Sequence, residues 1–452
     1  MNRIQDREIW KVADVQTLDN GRRTPVIKHW LSDCQQNHAA CVGHSARKSQ
    51  AKVLPTRVID VQSSPITLHE SVANEVGSYA ALSYCWGPPG TTNLCTTQGT
   101  LESRKSSLFL DGETIPGTLQ DAITITGSLG IRYLWIDALC IVQDDVDDWE
   151  KEAAKMQTVY ANAEVTLAAT DSTDCNGGLF HDTKPSLLQF TEKHTYRSRK
   201  LFACLEKVES ELYRTLDRSP LNQRGWTFQE SLLSRRLVHF SDVQLVWECK
   251  TQVATEYGLL AWGKGEQSKR PFALLPARGS QSSDGSDTPP APEDWDALVE
   301  SFSSRRFTKN EDRVSAMAGV VLLFEAALRD IPLAGLWKRD LAAGLLWYLD
   351  TPSESDAPPE LTHVPSWSWM SLMNSIRYDP KRRRSVSYGD KSLQRLEIRN
   401  AALNWAGTPL TSKISFAWLE LSGLVLPYGN VASETRPSNI LSTATRETLE
   451  LV

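Results

Sequence analysis

No apolar run long enough to cross a bilayer, about 18–20 residues, occurs in the sequence, so a spanning helix is not expected. The opening stretch "MNRIQDREIW" has no apolar segment of the kind a secretory leader carries. Phosphate loops of the GxxxxGK(S/T) or GxGxxG type are absent, which disfavours an intrinsic nucleotide switch. Internal repeats are absent too. Neither sign of charge dominates: 49 basic residues face 55 acidic ones, a net charge of −6. That balance disfavours nucleic acid and anionic membrane as partners. Eight cysteines among 452 residues are too few for a disulfide framework. With no leader, reduced thiols and a cytoplasmic location are expected.

The chain is long enough for two or three domains. Near the start, "VIKHWLSDCQQNHAACVGH" has helical spacing. "RVIDV" and "YAALSYCWG" read as strands. Residues 88–115 read as a polar loop, with a short strand at "LFLDG". "TLQDAITITGSLG" reads as a helix closed by Gly130. "RYLWIDALCIV" reads as a buried strand, "DDWEKEAAKMQTVYANA" as a helix and "EVTLAAT" as another buried strand. This alternation predicts an α/β fold, a parallel sheet wound with helices. Further on, Ser219 and Pro220 mark the start of a helix carrying "LNQRGWTFQESLL". "RRLVHF" and "VQLVWEC" then form a hairpin through Ser241 and Asp242. Residues 1–75 are thus read as an arm with a first strand, and 76–262 as the core. Residues 263–294 read as a flexible insertion, 295–428 as a helical plus β region, and 429–452 as a weakly ordered tail.

Several residue groups suggest chemistry. Asp147 with Glu150 fits a capping box. That leaves Glu152 without a capping role, on the flank of the face made by Trp149, Met156, Tyr160 and Ala163. A carboxylate there either pairs with a buried cation or serves a site. Asp137 falls at the carboxyl end of its expected strand, where wound sheets bind ligands. Its alternative role is to cap a neighbouring loop. Ser83, Cys85 and Trp86 occupy the matching end of their own strand, and Cys140, Gln143 and Asp144 follow Asp137. Arg224 would share a helix face with Phe228 and Ser231, and Trp226, Gln229 and Glu230 another. An arginine there would neutralise Glu152 or Asp137, or bind an anion. Glu152 and Asp137 are the candidate catalytic pair. Ser83, Trp86, Cys140, Gln143, Arg224 and Trp226 are the candidate substrate contacts. His239 with Cys85 or Cys140 is a weaker nucleophile pair. Cys34, His38 and Cys41 share about 60° of a helical wheel, a partial zinc set. One helix rarely surrounds a tetrahedral ion, so a packing face with a buried histidine is the expectation and no metal is assigned.

"YAALSYCWG", "LWIDALCIVQDDVDDWEKEAAKMQTVYANAEVTLAAT" and "RGWTFQESLLSRRLVHF" resemble, in order, the three blocks of the fungal heterokaryon-incompatibility (HET) domain. "HWLSDCQQNHAACVG…LPTRVIDV" before them, and "KNEDRVSAMAGV", "AGLW", "LLWYL" and "PSWSWM" after them, resemble segments that flank those blocks, so the likeness covers roughly residues 25–370. The resemblance implies a stand-alone protein of non-self recognition that triggers cell death. It also implies a distant likeness to TIR domains, hence a flavodoxin/TIR-like core. Many TIR domains cleave NAD+, using a glutamate four positions after a tryptophan. Here Trp149 precedes Glu152 by three. NAD+ is therefore an expected substrate, with no certain cofactor. Self-association or a HET partner protein is expected, and a small-molecule ligand is compatible with the site. Two alternatives stay open: a non-enzymatic signalling or assembly module, and an enzyme of secondary-metabolite biosynthesis (a cyclase, lyase or hydrolase) using the carboxylates as acid and base.

Overall fold

A computed structural model describes residues 20–42, 52–181, 187–194, 197–204, 216–256, 292–350, 361, 363–380, 397–425 and 445–451. The described residues up to Glu256 belong to one compact unit and those from Pro292 to a second. The expected insertion falls outside the described residues, except for its last three positions, which start a helix. Among the described residues, no helix is long and apolar enough to cross a membrane.

The first unit is built on an eight-stranded mixed sheet. Its strands are β1 (Arg57–Asp60), β2 (Thr67–Glu70), β3 (Tyr79–Ser83), β4 (Tyr133–Trp135) and β5 (Val165–Ala168), then β8 (Arg236–Phe240), β9 (Leu245–Cys249) and β10 (Val253–Thr255). A separate hairpin, β6 (Leu187–His194) and β7 (Arg197–Cys204), stands between β5 and β8 in the chain. The sheet order is β10-β9-β8-β5-β3-β4-β1-β2. β3 runs parallel to β4 and β5, and β5 parallel to β8, while the strands beyond pair antiparallel. Read from β4 to β8, the parallel core follows the first four places of the flavodoxin-like order. The expected α/β architecture is therefore present.

β3 forms because "YAALS" is small or apolar at every place and lies between two parallel neighbours. All five residues are buried. The strand stops at Ser83, three residues short of the expected polar end at Trp86. Gly87 then takes φ +109°, and a Cβ there would meet Thr91 at 2.5 Å. "RYLWIDALCIV" is not one strand. β4 ends at Trp135, and α5 (Asp137–Cys140) turns directly out of it. An unbroken apolar run fits both elements equally well.

The wound helices follow the same logic. α4 (Gly117–Ser128) buries Leu119, Ala122, Ile123 and Ile125. Gly130 ends it as expected, with φ +78° and its neighbour Ile131 donating to Thr126 O at 3.1 Å. α6 (Val146–Asn162) is capped by Asp145, whose carboxylate accepts Asp148 N at 3.0 Å. The cap thus lies two residues before the one expected at Asp147. Tyr160 from α6 meets Trp135 edge-on at 5.6 Å. The helix expected from Ser219 is broken. A short 3₁₀ turn spans Leu221–Gln223, and α7 covers Trp226–Leu233. Arg224 between them is extended, at φ −83° and ψ 143°. The Thr227 hydroxyl, 2.7 Å from Leu221 O and 2.9 Å from Arg224 O, ties the break together.

Residues 88–115 contain a helix that propensity did not announce, α3 (Leu101–Ser106), and "LFLDG" is a turn rather than a strand. Arg104 explains both. It is buried, donates to Cys95 O at 2.9 Å and to Leu108 O, and makes a forked pair with Glu113 at 2.7 and 3.0 Å. One guanidinium thus gathers three separate pieces of chain.

The N-terminal helix begins earlier than expected and breaks at His38, giving α1 (Asn20–Asn37) and α2 (Ala39–Val42). α1 packs on β9, where Trp30 lies 6.1 Å from Trp247.

The second unit opens with α8 (Pro292–Ser303), α9 (Asp312–Ser315) and α10 (Ala318–Leu328). Short pairs follow, β11 (Pro332–Leu333) with β12 (Leu336–Trp337) and β13 (Trp347–Leu349) with β14 (Ile376–Tyr378), and α11 (Leu341–Gly344) sits between them in the chain. The expected helical region thus gives way to strands after Leu328. Its tryptophans form the core. Trp295 and Trp369 both donate to Gly335 O, at 3.0 and 2.9 Å. Gly335 has φ +84°, and a Cβ there would strike the Trp369 ring at 2.8 Å. The buried Arg313 guanidinium lies over Phe302, Phe307 and Trp369, 5.5–5.9 Å from the ring centres. The last sheet joins β15 (Glu397–Trp405), β16 (Ile414–Val425) and β17 (Thr445–Leu451). β17 lies in the segment expected to be a weakly ordered tail.

Arg104→Lys would keep the charge and lose the fork. It is expected to destabilise the first unit by roughly 2 kcal/mol, read as a lower urea midpoint with an unchanged slope.

Candidate functional site

The carboxyl ends of β3 and β4 carry Ser83–Trp86 and Asp137, and α7 packs against β3. Ser83 is the last residue of β3, so its side chain is fixed by the register with Ala168 of β5. Its hydroxyl donates to Glu230 Oε2 at 2.6 Å. Glu230 is 5% exposed. Its helix is anchored in turn: the Ser234 hydroxyl donates to Glu230 O at 2.6 Å and lies 2.6 Å from Thr166 Oγ1 of β5. Tyr160 of α6 reaches into the same cluster and donates to Leu82 O at 3.1 Å.

Asp137 stands at the more open side. Its Oδ2 accepts the Trp86 indole N–H at 2.8 Å, and its Oδ1 takes Ala138 N at 2.7 Å. Asp137 thus bonds within its own helix and to Trp86. Gln143 donates to Asp137 O at 3.0 Å and to Ile141 O at 3.1 Å, which fixes the turn beneath the carboxylate. Arg224 donates to Tyr84 O, the residue after Ser83. This bond needs the break before α7, so the extended backbone at Arg224 is what brings its charge to the strand ends. Asp137, Trp86, Arg224 and Trp226 are all partly exposed.

The two carboxyls are electrically linked. Burial pushes Glu230 up to about 7; the charge of Asp137 adds to this, and the Ser83 bond and Arg224 oppose it. Burial also raises Asp137, against the Trp86 indole and Arg224. Near neutral pH Glu230 is thus only partly ionised, with Asp137 and the Arg224 guanidinium in its electrostatic surroundings. The group is equipped for acid–base work and for stabilising a positive charge.

The remaining candidates lie differently. Glu152 is buried, but its carboxylate accepts Thr56 Oγ1 at 2.7 Å and Lys155 Nζ at 2.8 Å. The next acid on that face, Asp148, forms an ion pair with Arg57, which also donates to Cys140 O at 2.7 Å. So this end of α6 grips the start of β1, and the cation beside Glu152 is the half-exposed Lys155 rather than a buried arginine. The Cys140 thiol takes Ile136 N at 3.5 Å, and burial pushes it up to about 12, far from a reactive thiolate. His239 lies 3.0 Å from Thr170 Oγ1 and 3.6 Å from Glu248 Oε1. Trp226 meets Trp149 edge-on at 6.1 Å. The residue missed as a chemical group is Glu230. The available signal was the spacing of Thr227, Glu230 and Ser234, three polar residues on one helical stripe.

A buried carboxyl raised from 4.5 to about 7 binds more protons folded than unfolded between those values. Its stabilising effect is full below pH 4.5 and is lost as pH rises through about 7. Stability should therefore fall by roughly 3 kcal/mol across that window relative to Glu230→Gln. Urea unfolding of both proteins at several pH values reads this difference, and parallel curves would refute it.

No curated protein matches the chain, and no solved structure matches it. Residues 79–230 match the family model "Heterokaryon incompatibility protein (HET)". The match begins at the first residue of β3 and ends at Glu230, so it encloses Ser83, Trp86, Asp137 and Arg224. This stretch of the chain matches the HET domain, and the match supports a heterokaryon-incompatibility type of function.

Proposed function

We propose that the protein acts in non-self recognition leading to cell death, and that its HET domain does so by cleaving the nicotinamide–ribose bond of NAD+ beside Asp137 and Glu230. The observation that carries this reading is the electrostatic link between Asp137, at a strand end, and Glu230 of α7, with Trp86 and Arg224 beside Asp137. Nicotinamide leaves NAD+ as a neutral molecule, so the departing ring needs no acid. The need is to stabilise an oxocarbenium-like ribosyl cation and to admit one water. Asp137, the more open carboxyl, would face that cation and take the water's proton. Glu230, holding its own proton, leaves the pair with a single negative charge. Trp86 offers a ring for stacking and Arg224 a partner for the pyrophosphate. The reaction balances as NAD+ plus water giving nicotinamide, ADP-ribose and a proton.

Purified protein, alone and in enforced oligomers, should release nicotinamide from NAD+. Asp137→Asn should lower that rate about 100-fold or more. Loss on Glu152→Gln with Asp137→Asn silent would move the chemistry to Glu152 and refute this arrangement. If no assembly state releases nicotinamide and Asp137→Asn still kills, the assembly-module reading replaces it.

A further inference from the structure

Away from the carboxyl pair, the structure completes a set of side chains that the sequence offered only in part. Cys34 lies in the last turn of α1, His38 at the break, and Cys41 in α2. Cys249, the last residue of β9, joins them from the sheet. All four are buried, and their ligand atoms lie within 4.8 Å of one another. A tetrahedral ion with bonds of about 2.0–2.3 Å needs donor atoms roughly 3.4–3.8 Å apart, a small contraction of this group. His38 Nδ1 is already 3.3 Å from Cys249 Sγ. The objection that one helix cannot surround an ion falls away, because the fourth donor comes from a strand.

The surroundings fit a metal better than a plain packing face. The other imidazole nitrogen, His38 Nε2, lies 3.5 Å from Asp33 Oδ2. A carboxylate behind a ligating histidine fixes its tautomer and orientation. Arg236 Nε donates to Cys34 Sγ at 3.1 Å, and Thr251 Oγ1 lies 3.6 Å from Cys41 Sγ. The guanidinium is a donor aimed at sulfur, as a thiolate requires, and the hydroxyl is able to donate. Three thiolates and a neutral imidazole around a divalent ion carry one net negative charge. The buried Arg236, which also pairs with Glu164 at 3.1 Å, stands beside it.

We propose that Cys34, His38, Cys41 and Cys249 bind one structural zinc ion that fastens α1 and α2 to β9. Soft sulfur donors with one imidazole favour zinc among the abundant divalent ions. On binding, three thiols each give up a proton to solvent, and the four donors close the coordination shell. With no open position, the ion has a structural task. It joins the chain before the HET domain to the strand that follows it, across the interface already packed by Trp30 and Trp247.

The full chain, purified under reducing conditions without chelator, is measured for metal by mass spectrometry of its ions. About one zinc per chain is expected, retained in Cys95→Ser and lost in Cys249→Ser and His38→Ala. Should those variants not fold, cobalt exchanged into the wild-type protein decides instead. A tetrahedral cobalt spectrum with charge transfer from three thiolates supports the site. Folded protein with under about a tenth of an equivalent of zinc, a cobalt form lacking that spectrum, or a disulfide among the three cysteines would each overturn it.

Discussion

One hydrogen bond sets the terms for the candidate site: Ser83 to Glu230, 2.6 Å, between the end of a central strand and a buried helix. It fixes a carboxyl where water cannot solvate it. Burial then forces the question of charge, since two nearby carboxyls out of water do not both ionise without cost. Asp137 and Glu230 meet that constraint by sharing it, with Arg224 as the offsetting cation. Much of the local architecture serves the arrangement. β3 stops at Ser83, the chain breaks at Arg224 so that its side chain reaches Tyr84 O, and Ser234 and Thr166 hold α7 against β5.

Parts of this were legible in the sequence. A strand buried on both faces reads as an apolar run, so β3 and β5 stand out. α4 shows its helical spacing and its closing glycine. What stayed hidden depends on contacts between distant residues. α3 is six residues long and polar, and it is held by Arg104 bonds to chain that its own composition does not announce. The break at Arg224 answers to a carbonyl 140 residues away. The sequence places Glu230 only on a helix face with Trp226 and Gln229, because burying a carboxyl is costly and a sequence shows the cost but not its compensation.

The thiol cluster teaches the same lesson. Cys34, His38 and Cys41 were visible as a face of one helix, and the missing donor lay 211 residues from His38. Strand pairing, not local pattern, carries Cys249 to them. The first unit thus has two buried polar centres with different demands. The carboxyl centre must keep its charge low and its rim accessible. The thiol centre is sealed, and it ties the N-terminal helix to the sheet.

The central claim is that Glu230 keeps its proton while its neighbour Asp137 is ionised. Infrared difference spectroscopy reads this directly, through the carbonyl stretch of a protonated carboxyl. At about pH 6 the wild-type protein should show such a band, and Glu230→Gln should abolish it; the band should fade as pH rises through about 7. If no protonated carboxyl is lost in Glu230→Gln at that pH, the pair is fully ionised and the account of the site is wrong.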